Sequence, residues 1–112
     1  MTTKFNMIRD INGYNGFGLQ FSDSNFNTIL ATGVAQTVTA PTDNEYYLAI
    51  FAFEPGARVW VAKNTTAAVP SSSVAATNSI LNPVARLVSS GDTLSFITND
   101  TTVEIGVSFY AI

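Results

Sequence analysis

The closing segment of this chain, Val103–Ala111, alternates without a break: Val103, Ile105, Val107, Phe109 and Ala111 are apolar, with Glu104, Gly106, Ser108 and Tyr110 between them. A period of two sends the first set to one face of an extended strand and the second set to the other. Upstream, from residue 16 onward, short runs rich in β-branched and aromatic residues alternate with turn clusters such as PTDN, SSGD and NDTT. That rhythm belongs to sandwiches and barrels. Strands are expected at 17–21, 26–31, 34–40, 45–53, 57–63, 84–89, 93–98 and 103–111, with a short edge strand at 73–77 inside the long polar stretch 64–83. No helix is indicated, so parallel strands would lack their crossovers and the pairing must be antiparallel. The expected fold is all-β, an antiparallel two-sheet sandwich over 17–112, jelly-roll-like in preference to immunoglobulin-like, with an extended N-terminal arm over 1–16.

Two segments depart from a simple half-buried strand. Along 45–53 both alternating sets are apolar, Tyr46, Leu48, Ile50 and Ala52 on one side and Tyr47, Ala49, Phe51 and Phe53 on the other. One face meets the opposite sheet, and the second calls for a partner, an arm or a loop. In 57–63, Val59 and Val61 point inward, leaving Arg58, Trp60 and Ala62 outward. The arm, MTTKFNMIRDINGYNG, has two Asn-Gly turn signals and no sustained period. Phe5, Met7, Ile8, Ile11 and Tyr14 make it too apolar for an idle tail, so it is expected to pack on its own sandwich or on a neighbouring chain.

Composition narrows the function. Charged residues are 12% of the 112, about half the roughly 25% usual in soluble domains, and Lys plus Arg number only five. No basic footprint for nucleic acid exists. The longest apolar stretch, 46–53, is too short to span a bilayer as a helix, and the first eighteen residues lack a signal-peptide run. Neither nucleic acid nor membrane is expected as a partner, and synthesis in the cytoplasm is. His and Cys are absent, which removes the commonest general base, the commonest metal ligands and the thiol nucleophile together. The chain is read as no enzyme and as needing no cofactor or metal.

The remaining polar clusters have simpler readings. Asp43, Glu45, Glu54, Asp92, Asp100 and Glu104 lie in or beside turns, where Asp caps its own backbone, rather than forming a glycosidase pair. Lys63 with Ser71, Ser72 and Ser73 lacks an oxyanion loop. Asp23, Asn25 and Asn27, or Asn99 and Asp100, offer oxygen ligands without the spacing of a calcium loop. The aromatic residues are a stronger signal: Trp60 beside Arg58, with Tyr14, Tyr46 and Tyr110, suits a subunit interface or a sugar-stacking platform, where the second sheet or the arm does not simply pack over them. Interface is preferred, because a surface poor in charge is what neighbouring subunits cover.

The phrases VAQTVTAP, YYLAIFAFEPGARVWVAKNTTAAVP, LNPVARLVSSGDTLSFIT and GVSFYAI, spread over roughly the last two thirds of the chain, resemble small virion accessory proteins of tailed bacteriophages. These are the capsid decoration or cement proteins, often jelly rolls or similar sandwiches. The resemblance implies a protein on the capsid surface of the virion, a homo-oligomer (a trimer rather than a dimer) that bridges neighbouring subunits of the major capsid protein. It transfers no fixed binding motif. The expected contacts are therefore those read from the residues: Phe5, Met7, Ile8, Ile11 and Tyr14 on the arm, and Tyr46, Arg58, Trp60 and Tyr110 on the sandwich. The alternative is a carbohydrate-binding or tail- or fibre-associated sandwich module.

Overall fold

The computed structural model describes residues 1–112 except Asn15 and Val74. Among the described residues there are ten strands and no helix: β1 (Met7–Arg9), β2 (Gly16–Leu19), β3 (Asn25–Leu30), β4 (Gln36–Thr39), β5 (Tyr46–Phe53), β6 (Val59–Lys63), β7 (Ile80–Leu81), β8 (Ala85–Ser89), β9 (Thr93–Thr98) and β10 (Val103–Ala111). Eight of them form two antiparallel four-stranded sheets, a front sheet β3-β10-β5-β8 and a back sheet β4-β9-β6-β7. From β3 onward, every connection but β6–β7 carries the chain from one sheet to the other. As a result β3 and β10, the first and last strands of the sandwich, lie side by side.

The period-two pattern explains the core. The apolar set of β10 is buried along its whole length, and β5 beside it contributes Tyr47, Ala49 and Phe51. The back sheet answers with Val59 and Val61 of β6 and Leu94 and Phe96 of β9. Phe51 and Phe96 join the sheets edge to face, their ring centroids 6.0 Å apart. Burying each such ring contributes about 1.5–3 kcal/mol by transfer alone. Tight turns connect the layers where the sequence places them. Ala57 N donates to Glu54 O at 3.0 Å across Pro55-Gly56, and Gly56 takes the positive φ of 81° that this turn requires. In SSGD, the Asp92 carboxylate accepts from Ser89 N at 2.8 Å, the self-capping expected of a turn Asp.

Three local expectations change. The strand expected over 34–40 is shortened to β4, because Gly33 adopts a φ of 71° and Val34 N closes a turn onto Ala31 O. The edge strand is β7 rather than 73–77, of which Val74 lies outside the described residues and 75–77 are not strand. Asn82 pins β7 there: Asn82 N donates to Val59 O, its Oδ1 accepts from Val59 N and its Nδ2 donates to Ala57 O. Ala62, expected outward, is buried, because the polar loop lies back over the outer face of the back sheet. Ala67 on that loop donates its N–H to Ser95 Oγ at 2.9 Å.

The first twenty residues divide in two. Residues 1–5 are stitched into the sandwich. Ala111 N donates to Thr3 O and Phe5 N to Ala111 O, so this segment takes up the edge of β10 just beyond the start of β3. β1 and β2 then form an antiparallel ribbon of their own, pairing Met7 with Leu19 and Ile8 with Gly18. Residues 17–19, expected as the first sandwich strand, belong to this ribbon. Neither ribbon strand packs substantially on any strand of the sandwich. The molecule is accordingly long, 50 × 29 × 25 Å with a radius of gyration of 15.3 Å, where a compact domain of this length has about 13 Å.

Candidate interaction surfaces

The ribbon is built by local rules and left bare. At its tip, Gly13 N donates to Asp10 O and Tyr14 N to Asp10 Oδ1, closing a turn in which Gly13 adopts a φ of 76°. Ile11, inside that turn, is 101% exposed, and Tyr14 is 83% exposed. Met7 lies over Gly16, where a Cβ would meet its Cε at 2.6 Å, and Ile8 lies across from Gly18. Glycine at both positions gives the two side chains little to pack on, and each stays about half exposed. Just past the ribbon, Phe21 is 98% exposed. The sequence reading placed Phe21 at the end of the first sandwich strand and so did not single it out as an exposed aromatic. A two-stranded ribbon without packing is marginally stable in water at best.

The first residues behave differently from the ribbon that follows. Thr2 is buried, and both its N–H and its hydroxyl donate to the Asp43 carboxylate, the hydroxyl at 2.8 Å. Tyr47 Oη donates to Asp43 Oδ1 at 2.6 Å from within the core. The Tyr47 hydroxyl first, then the Thr2 N–H and hydroxyl, hold the Asp43 carboxyl down at about 2. Burial, followed by the carboxylate itself, pushes the Tyr47 phenol up. Thr3 N donates to Asp23 Oδ1 at 2.9 Å, and this bond keeps the Asp23 carboxyl below its ordinary value. Phe5 is half-buried with its ring edge-on to Tyr110, centroids 6.2 Å apart.

The remaining sandwich candidates are scattered. Tyr110 points outward from β10 as the alternation requires, yet it is buried in the chain by Phe5, and its hydroxyl donates to Gln20 O at 2.7 Å. Phe5 and Tyr110 therefore cover each other instead of facing outward together. Tyr46 sits on the outer face of the front sheet, 43% exposed, near Leu48 and Leu87. Trp60 and Arg58 are on the back sheet, where with Val69, Pro70 and Asn99 they line a recess of about 210 Å³. Arg58 is engaged by Asp100, with NH2 to Oδ1 at 3.0 Å. The Arg58 N–H first, then its guanidinium, keep the Asp100 carboxyl low. Tyr46 and Trp60 do not share a surface.

A larger groove, about 620 Å³, opens at the far end of the front sheet, lined by Ile29, Ala52, Phe53 and Pro55 together with the polar Asn27, Thr28, Glu54 and Glu104. Gly106 forms part of its wall, where an added Cβ would meet Asn27 Oδ1 at 2.7 Å. The oxygen-rich turns are internally bonded: Asn25 donates to Ser22 O and accepts from Ser108 Oγ, and Asp23 receives Thr3. Among the described residues no three carboxylates converge to hold a metal ion. No protein family, no curated protein and no solved structure matches this chain.

Proposed function

We propose that this chain is a non-enzymatic structural subunit of a virion, a capsid decoration or cement protein that binds the outside of an assembled shell and bridges neighbouring subunits of the major capsid protein. The observation that carries the reading is the projecting ribbon with Met7, Ile8, Ile11 and Tyr14 exposed and, among the described residues, no sandwich strand packed substantially on it. Such surface is characteristic of a component that becomes ordered in an assembly. The strand order supports the jelly-roll form of the sandwich, with two four-stranded sheets exchanged at nearly every connection and the terminal strands adjacent. Action by a cement subunit is additive. Each copy contributes several modest contacts, and opening the shell locally requires breaking them together.

The carbohydrate-binding alternative needs an open aromatic platform. Trp60 is half-buried, and its recess of about 210 Å³ is smaller than the roughly 300–1,000 Å³ of ordinary ligand pockets.

Met7 and Leu19 are cross-strand partners, so residues 8–18 can be replaced by a two-residue Asn-Gly turn without moving the sandwich. The intact chain should sediment with undecorated shells of its phage, and the shortened chain should remain in the supernatant while melting at the same temperature. Failure of the intact chain to bind shells would refute the decoration role. Full binding by the shortened chain would refute the part given to the ribbon.

A further inference from the structure

Along the edge of the sandwich where β7 and β8 lie, two inward-facing positions carry cations. Lys63 pairs with the buried Leu94 and follows Val59 and Val61 on the inner face of β6. Arg86 pairs with the buried Ala49 and lies two residues before Val88 on the inner face of β8. Period two therefore sends both side chains to the faces on which each sheet buries its apolar residues. Both nevertheless stay exposed, because β7 has only Ile80 and Leu81, which pair with Val61 and Trp60 and leave the end of β6 without a neighbour on that side.

The space that β7 leaves is a cavity of about 180 Å³ between the sheets. Its depth is apolar, with Phe51, Val61, Val88 and Leu94 buried there and the half-exposed Ile80 above them. Its mouth is polar, with Lys63 and Arg86 on opposite sheets and Thr65 and Asn78 beside them. Two of the chain's five cations meet here, although the chain as a whole is net negative. Among the described residues neither has a carboxylate within 4.0 Å, since the ion pairs join Asp43 to the N-terminus and Asp100 to Arg58. Arg86 donates to Ala85 O. The Asp92 carboxylate feels the Lys63 charge but is held by the Ser89 N–H and by Asn64 Nδ2. Apolar cavities of about 150 Å³ accept a benzene ring, so this one admits a ring or chain of about six carbons and no long acyl chain.

We propose that this cavity binds a small carboxylate with an apolar body of that size. The body fills the space between the sheets against Val61, Val88 and Leu94, and the carboxylate sits between Lys63 and Arg86, which supply charge-assisted hydrogen bonds. The site involves neither the ribbon nor the shell. Inward charges at a sheet edge also discourage strand pairing between molecules, and the experiment separates the two roles.

Benzoate is titrated into the intact, methyl-labelled chain and followed by NMR. Shifts at the Val61, Ile80, Val88 and Leu94 methyls should saturate with a Kd of about 1 mM or tighter. Benzamide, uncharged and of the same shape, should bind about tenfold more weakly. The double variant Lys63→Gln, Arg86→Gln changes only exposed side chains, so it should weaken benzoate about tenfold while leaving benzamide binding and the melting temperature as they were. No saturable shift at these methyls by about 10 mM benzoate, equal binding of benzamide, or full benzoate binding by the double variant overturns the proposal. The last result together with self-association of the double variant assigns the two cations to guarding the edge instead.

Discussion

Replacing Ile11 with Ser separates folding from assembly. In the free chain Ile11 is 101% exposed at the ribbon tip and touches no core residue. Its removal should leave the melting transition where it was, since surface changes away from special features stay within about 0.5 kcal/mol. In the assembly, complete burial of an isoleucine side chain contributes about 1.5–3 kcal/mol. Losing about 2 kcal/mol weakens each contact roughly thirtyfold. The paired assay is a thermal melt of the purified chain and a sedimentation titration against shells. Unchanged affinity would refute the argument that the exposed side chain is meant to be covered, and a melt lowered by many degrees would show that the ribbon supports the fold.

Two further outcomes follow from the sandwich itself. Phe109→Ala removes a fully buried ring that meets Phe26 and Tyr47 edge to face, and should cost about 3–5 kcal/mol in a denaturant titration. The Asp43 carboxyl is lowered in the folded chain to about 2 from the ordinary ~3.9, so its hold on Thr2 is complete above pH ~4 and is lost as pH falls through about 2. The protection factor at the Thr2 amide, taken against the intrinsic exchange rate at each pH, should fall across that acid window, and the dependence should be lost in Asp43→Asn.

The parts of the fold legible in the sequence are those governed by neighbours along the chain. The alternation of Val103–Ala111 specified which side chains of β10 enter the core, and Pro55-Gly56 specified a turn, because both depend on local geometry. What covers an outward face depends on segments far away in sequence. Alternation sent Ala62 and Tyr110 outward, and the structure keeps both directions, but the 64–79 loop buries the first and Phe5 the second. Composition marked the arm as apolar without showing that Thr2 and Thr3 are held by Asp43 and Asp23 while Ile8 and Ile11 are left bare. For the same reason Tyr46 and Trp60, alike in sequence as outward aromatics, end on different sheets. The Ile29–Phe53 groove joins ends of β3, β5 and β10 that only the strand order brings together.

Amide hydrogen exchange on the ribbon, in the free chain and on decorated shells, tests the central claim most directly. In the free chain the amides of Met7, Ile8 and Arg9 should exchange far faster than those of β10, since an unpacked two-stranded ribbon opens easily. On the shell they should be protected by orders of magnitude while β10 is unchanged. Ribbon amides that exchange equally fast in both states would contradict the claim that this surface is built to be covered.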